Sequence, residues 1–299
     1  MEPCSCHNYV ISCGGEQEID LEAMFERLSK KLPKRKKHFD ELYINNTVIT
    51  ELGENITKDI TFHTIFIDSA QNLKRIDKNA FKGTADNVKV FVLKKCQNFD
   101  SLELFDVLNG FPKMETIHVG NTKLTGIPSN AFRTLPNIYS IAFYGESIKT
   151  IGEKAFHDLK TIRFIDIVNT SLSYIPDNVF VFEKSERKVG ICLFYNQLEG
   201  NGFSAGALAH IGRPAEFHFM GHLESENSDK IKFLDQNSFE PFFKADPHNT
   251  VVFKYEVLDC NDCRNKWLKT TPEYGNRVTP LKCSNGIKFD SQANFAKCV

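Results

Sequence analysis

Thr116-Ile-His-Val-Gly-Asn-Thr-Lys-Leu-Thr-Gly-Ile-Pro-Ser-Asn-Ala-Phe132 returns in altered form 24 residues later as Ser140-Ile-Ala-Phe-Tyr-Gly-Glu-Ser-Ile-Lys-Thr-Ile-Gly-Glu-Lys-Ala-Phe156. It returns again, at the same interval of 24, as Phe164-Ile-Asp-Ile-Val-Asn-Thr-Ser-Leu-Ser-Tyr-Ile-Pro-Asp-Asn-Val-Phe180. Four apolar columns hold phase through the three copies. They are Ile117, Ile141 and Ile165; Leu124, Ile148 and Leu172; Ile127, Ile151 and Ile175; and Phe132, Phe156 and Phe180. A fixed period of this length is the signature of a solenoid. Each unit reads as a short strand, a turn and a loop carrying a phenylalanine. No unit can bury its apolar side alone, but stacked units share one core.

The pattern Ile117-x-Val119-x-x-Thr122-x-Leu124-x-x-Ile127-Pro128-x-x-x-Phe132-x-x-Leu135 resembles the extracellular type of leucine-rich repeat, as does its copy from Ile165 to Phe180. That resemblance implies an α/β solenoid: a horseshoe with a parallel sheet on its concave side and loops outside. The family places Asn, sometimes Cys or Thr, where Thr122 and Thr170 stand. Thr47, Ala70, Glu146 and Asn196 occupy the neighbouring copies, so the usual asparagine ladder is expected to be degraded and the turns irregular.

The chain has 299 residues, enough for two domains by length, although a solenoid can be one elongated unit. Its 37 Lys and Arg against 38 Asp and Glu give a formal charge of −1, which offers no nucleic-acid surface. Twenty-six phenylalanines against one tryptophan fit a repeat that spends one or two Phe per turn on its core. No apolar run is long enough to cross a membrane. Met1 opens no secretory signal, so the chain reads as a mature or truncated product.

Of nine cysteines, three stand at the start (Cys4, Cys6, Cys13) and four at the end (Cys260, Cys263, Cys283, Cys298), with Cys96 and Cys192 between. Clusters at both ends read as disulfide-stapled caps over the open core faces of a secreted solenoid. The alternative is an intracellular zinc site built on Cys260-x-x-Cys263, but Cys283 and Cys298 lack the close spacing of a zinc ribbon.

Residues 1–38 resemble the family's amino-terminal cap. Leu21, Met24, Phe25 and Leu28 recur at helical spacing, and Pro33 ends the helix they predict. The basic run from Lys30 to His38 can contact a heparin-like polyanion or serve as a solvated loop. Repeats fill residues 39–257, with strands expected near Leu42–Ile44, Ile65–Ile67, Phe91–Leu93, Ile117–Val119, Ile141–Phe143, Ile165–Ile167, Ile191–Leu193, Phe217–Phe219 and Val251–Phe253. In the third, Phe91 and Leu93 are preferred over Val88, Val90 and Val92 as the inward residues, because Cys96 then falls at the turn column as a small buried apolar residue. Five glycines over 200–221 and a 34-residue interval from Phe217 to Val251 break the period, and Glu224–Asp229 reads as an exposed insertion loop.

Residues 258–299, with Cys260-x-x-Cys263-x₃-Trp267, Cys283 and Cys298, resemble the family's carboxyl-terminal cap. The resemblance implies Cys260–Cys283 and Cys263–Cys298 pairs and puts Trp267 over the last repeat. It likewise implies Cys4–Cys13, leaving Cys6 without a partner. Phe39-Asp-Glu-Leu-Tyr-Ile44, Leu73-Lys-Arg-Ile-Asp-Lys-Asn-Ala-Phe81 and Cys283-Ser-Asn-Gly narrow the likeness. They resemble the arthropod family named after the non-catalytic subunit of the shrimp luciferin monooxygenase, a name that carries no activity to this chain.

Strand alternation assigns the residues between the apolar anchors to the concave face. One column is Tyr43, Phe66, Val92, His118, Ala142, Asp166, Cys192, His218 and Val252. The next contains Asn45, Asp68, Lys94, Gly120, Tyr144, Val168, Phe194, Met220 and Lys254. Tyr43, Phe66, Tyr144, Phe194 and Met220 put aromatic and apolar side chains on that face, a mark of a binding surface, and His118, Asp166 and His218 complete the candidate ligand-binding set. Asp166, Cys192 and His218 fall on successive strands about 4.8 Å apart. As a thiol triad they are in the wrong order, since the acid flanks the cysteine rather than the histidine. As a metal site with His118 they are loosely spaced.

The sequons Asn45-Asn-Thr47, Asn55-Ile-Thr57 and Asn169-Thr-Ser171 are candidate glycan sites in a secreted protein. The expectation is therefore a secreted, non-enzymatic protein-binding module with no cofactor, its partner a protein. Membership of a secreted enzyme complex as a stabilising subunit is the first alternative, and the thiol or metal site the second.

Overall fold

The computed structural model describes residues 4–157, 159–219, 231–254 and 258–281, with 283, 289, 295, 297 and 298 beyond them. Met220 and the loop Glu224–Asp229 lie outside the described residues. The chain divides into two compact units. The first holds Met1–Thr125, Phe132–Ser147 and Leu159–Ile162; the second holds Gly126–Ala131, Ile148–Asp158 and Arg163–Val299.

The first unit opens with a hairpin of Ser5–His7 and Val10–Gly15, turned by Asn8 and Tyr9 at φ 47° and 62°. Two adjacent left-handed residues make the turn whose twist matches an antiparallel pair. Cys4 is bonded to Cys13 across this hairpin. Helix α1, Leu21–Lys31, follows. Asp20 caps it by accepting from the Ala23 amide at 2.9 Å, and Leu21, Met24, Phe25 and Leu28 form its buried stripe. The chain leaves the helix at Leu32, just before the proline.

From there the strands are parallel and in register. Val10–Gly15 pairs with His38–Asn46, which pairs with Thr61–Asp68, then Val90–Lys94, Thr116–Gly120 and Ser140–Tyr144. Leu42, Ile44, Ile65, Ile67, Phe91, Leu93, Ile117, Val119 and Ile141 have no solvent exposure. Their period of two puts the core on one side of the sheet. Behind it, phenylalanine rings fill the space at centroid distances of 5.8–6.4 Å, as in Phe81–Phe91–Phe111 and Phe105–Phe132–Phe143. The short helix α2, Leu104–Asn109, buries Leu104, Phe105, Val107 and Leu108 against this layer.

The second unit repeats the arrangement with parallel strands Phe164–Val168, Val189–Cys192, Ala215–Phe219, Thr250–Phe253 and Val278–Thr279. Phe156 stacks on Phe180 at 5.6 Å, and Phe180 meets Phe217 edge-on at the same distance. Helix α3, Gln236–Ala245, lies within the long interval from Phe217 to Val251 that breaks the period. Asp235 caps it, and Phe239, Phe242 and Phe243 at helical spacing are buried. Trp267 is 7% exposed, its indole N–H donates to the Leu234 carbonyl at 3.0 Å, and its ring meets Phe243 and Tyr274. Cys260–Cys283 and Cys263–Cys298 bonds hold this end together, the pairs the family resemblance implies.

The turn after each strand is where the structure departs from the expected column. Thr122, Thr170 and Asn196 are buried as expected, but at the first repeat Asn46 takes the inward place and Thr47 is half-buried. The strand there stays paired through Asn46 before it turns, which shifts the inward position back by one residue. At the fifth strand Gly145 is buried and Glu146 exposed. The threonines work as shortened asparagines: Thr122 and Thr170 hydroxyls accept from the amides two residues on, at 3.3 and 3.2 Å. Asn46 does more. Its Nδ2 donates to the Gln17 carbonyl at 2.9 Å, and its Oδ1 accepts from the Val48 and Ile49 amides at 3.0 and 2.9 Å.

Removing those three bonds in Asn46→Ala leaves backbone groups without partners, and stability should fall by roughly 2–4 kcal/mol. Urea unfolding of the oxidised protein measures this. Thr122→Ala, which removes one bond, should cost about 1 kcal/mol.

Candidate functional site

One face of each unit's sheet is packed on the core, and the other carries the residues that can meet a ligand. In the first unit Tyr43 is opposite Phe66, Phe66 opposite Val92, Val92 opposite His118, and His118 opposite Ala142. The next column runs Asp68, Lys94, Gly120, Tyr144 in the same register. In the second unit Asp166, Cys192, His218 and Val252 align likewise.

The aromatic residues are half-buried because they pack on one another. Tyr43 and Phe66 meet edge-on at 5.3 Å, and the Lys94 ammonium sits 4.8 Å above the Phe66 ring. Lys94 also faces Asp68 at 3.5 Å. Cation–ring and ion-pair contacts of this sort hold long side chains in one rotamer and leave a firm surface. Tyr144 lies flat over Gly120 of the adjacent strand. A Cβ on Gly120 would fall 2.1 Å from two ring carbons, so the tyrosine's seat depends on glycine there. Burial raises the Tyr43 and Tyr144 phenols above their ordinary range, and the Asp68 charge adds to the shift. Both rings therefore present neutral hydroxyls. His118 is exposed beside them.

The Asp166–Cys192–His218 row is electrostatically unlike a nucleophile. Burial pushes the Cys192 thiol up to about 12, and Asp166 adds to the rise by its charge and by accepting the thiol's hydrogen bond. His218 is turned to Glu216, with Nε2 2.9 Å from Oε1, and its ring meets Phe194 edge-on at 6.4 Å. Desolvation opposes the Glu216 charge, but Lys188 at 2.6 Å, Thr250 at 3.0 Å and His218 offset it and hold the carboxyl below its usual range. The cysteine is kept as a thiol and the histidine is occupied elsewhere. Among the described residues, no group of three or more His, Cys, Asp or Glu is placed to hold a metal ion. Cys96 is wholly buried, with its thiol also pushed up to about 12 by burial.

Each sequon has a distinct setting. Asn45 is half-buried, its Oδ1 pressed toward Gly14 and without a hydrogen-bond partner. Asn55 is half-buried and accepts from the Gly83 amide at 3.1 Å. Asn169 is exposed in a left-handed turn at φ 55°. In the basic run Lys30 pairs with Glu26 and Lys37 with Asp59, while Lys31, Lys34, Arg35 and Lys36 are exposed. Among the described residues no helix is long and apolar enough to cross a membrane.

Parallel strands at a 23–26-residue period, ring layers behind them and disulfides at the two ends define the class. The fold is that of a leucine-rich-repeat solenoid. The leucine rich repeat family matches residues 112–172. Among curated proteins the chain is similar to the Oplophorus-luciferin 2-monooxygenase non-catalytic subunit of Oplophorus gracilirostris, 29% identical over 161 residues, 54% of this chain and 43% of that one. The chain thus matches less than half of that relative's length. Among solved structures it is similar to human 5T4 (trophoblast glycoprotein), with a TM-score of 0.52 and 13% identity over 97% of both chains. It also aligns with a chain in an octameric complex of Latrophilin 3, Unc5D and FLRT2, at a TM-score of 0.44 and 14% identity over 99% of both.

A thiol titrating near 12 is ionised to only about 1 part in 10,000 at pH 8. Iodoacetamide should therefore modify exposed Cys6 in the native protein and leave Cys192 and Cys96 unmodified until unfolding. Peptide mass spectrometry reads the order directly.

Proposed function

We propose that this chain is a secreted, non-enzymatic binding protein that holds another protein on the open face of its first unit's sheet. One observation carries the proposal: Tyr43 and Phe66 lie in register on adjacent strands, with Lys94 over Phe66 and Tyr144 seated on Gly120. Aromatic side chains with few rotors, already fixed by their neighbours, lose little entropy on binding and are enriched at interface hot spots. Neutral phenols beside Asp68 and Lys94 supply hydrogen bonds that orient the partner. His118 extends the surface by one strand. Phe194, Asp166 and His218 offer a second patch on the other unit. Disulfides at both ends fit the oxidising exterior.

A second reading is a stabilising subunit of a secreted enzyme complex. It is favoured by the likeness to a protein named as a non-catalytic subunit. Both readings use the chain as a binder, and they differ in whether the partner is itself an enzyme.

The test is a pull-down from native extracellular fluid with oxidised protein, followed by interferometry on the purified partner. Tyr43→Glu/Phe66→Glu should weaken binding by about 30-fold or more, the effect of losing a hot spot of roughly 2 kcal/mol. Gly120→Val, which pushes Tyr144 off its seat, should weaken it in the same direction. Circular dichroism must show both variants folded. Full binding by the folded variants would remove this face from the proposal, and Phe194→Glu would then examine the second unit's patch.

A further inference from the structure

The segment from Glu16 to Lys37 carries its charge in two blocks. Residues 16–26 hold five acids and no base, and residues 27–37 hold seven bases and no acid. Helix α1 joins the blocks, and its own dipole favours this polarity. The polarity nevertheless runs past both helix ends, to Glu16 and Glu18 on one side and to Lys34, Arg35 and Lys36 on the other. Some charges are met within the chain: Glu22 by Lys58, Glu26 by Lys30 and Lys37 by Asp59. Glu16, Glu18, Lys31, Lys34, Arg35 and Lys36 are exposed and make no ion pair among the described residues.

At the acidic end there is a groove of about 630 Å³ between Glu18-Ile19-Asp20 and Val48-Ile49-Thr50-Glu51. Ile19, Val48 and Ile49 are half-buried and form an aliphatic floor, with the Glu18 and Asp20 carboxylates on one rim and Glu51, paired with Arg75, on the other. The groove is preformed, because Asn46 ties both walls: Nδ2 to the Gln17 carbonyl, Oδ1 to the Val48 and Ile49 amides. An aliphatic floor with an acidic rim is complementary to lysine and arginine, whose methylene stems lie on apolar surface while the cation reaches outward.

The chain presents such side chains itself. Lys34–Lys36 form one exposed turn at the far end of α1. An 11-residue helix is about 16 Å long, so the chain's own basic turn stays at the opposite end of a rigid rod from its groove. A second copy has no such restriction. Turned about a two-fold axis with α1 antiparallel, it lays its basic turn on the first copy's groove and offers its own groove in return. That is a self-complementary contact, as closed dimers require.

We propose that the Glu18–Glu51 groove receives the Lys34–Lys36 turn of a second copy of this chain, twice per dimer. The contact is separate from the open face of the sheet, so failure of one reading leaves the other standing. Analytical ultracentrifugation of the full oxidised chain tests it, in a Cys6→Ser background so that no chance disulfide imitates the dimer. Dimerisation should weaken more than about tenfold between roughly 0.05 and 0.5 M salt, as screening shortens the reach of surface charges. Glu16→Lys/Glu18→Lys and Lys34→Glu/Arg35→Glu/Lys36→Glu should each be monomeric, and an equal mixture of the two should regain a heterodimer. All these positions are exposed, and thermal melts confirm that the variants fold. A monomer at low salt, or a dimer indifferent to both reversals, overturns the proposal.

Discussion

Parallel pairing is the constraint from which the rest of this structure follows. A parallel strand cannot return through a tight hairpin, so the chain must make a full circuit behind the sheet before it pairs again. Each circuit has to leave the sheet by the same bend. Ser69, Lys95, Asn121, Gly145, Asn169 and Tyr195 make that bend at positive φ, four residues after the first inward residue of their strands. Only one of them is glycine. For the others the left-handed geometry costs free energy that buried neighbours must offset. Thr122, Thr170 and Asn196 follow one residue later and satisfy backbone groups there. The circuit behind the sheet then needs bulk, and phenylalanine supplies it.

The same logic separates what the sequence reveals from what it hides. Strand positions were legible because the inward pair repeats with each circuit, in phase with the apolar columns of the turn and the loop. Even the ambiguous Val88–Leu93 stretch resolves with Phe91 and Leu93 fully buried. The helices were less legible. α3 follows a good cap, Asp235, and carries Phe239, Phe242 and Phe243 at helical spacing, but Pro241 within it masks that signal. α2 is one and a half turns long, too short for periodicity to declare it. Asn46 escaped because columns were counted from a constant strand length, whereas its strand continues one pleat further. On the open face, residue identities and register were readable, but packing was not. That Tyr43 leans on Phe66, or that His218 turns to Glu216, depends on side-chain directions across strands distant in sequence.

The two units' open faces differ in character. The first combines rings and a single lysine–aspartate pair, and burial keeps its tyrosine phenols neutral. The second gathers Glu216, His218, Lys188, Asp166 and Cys192, and burial, aided by the Asp166 and Glu216 charges, holds the thiol protonated. Proximity of a cysteine, a histidine and an acid is therefore weak evidence of reactivity. Which partner each group has chosen decides it.

Gly120 has a consequence for how such surfaces diversify. The seat of Tyr144 is an absence on the preceding strand, so the two residues form one trait shared by adjacent repeats. Repeat arrays change by duplication, loss and exchange of whole modules. A crossover between these two repeats would separate the ring from its vacancy and alter the surface without changing a residue in either module. Inheritance of this open face is then by pairs of repeats, and an engineer shuffling cassettes from this chain would need to cut at boundaries that keep Gly120 and Tyr144 together.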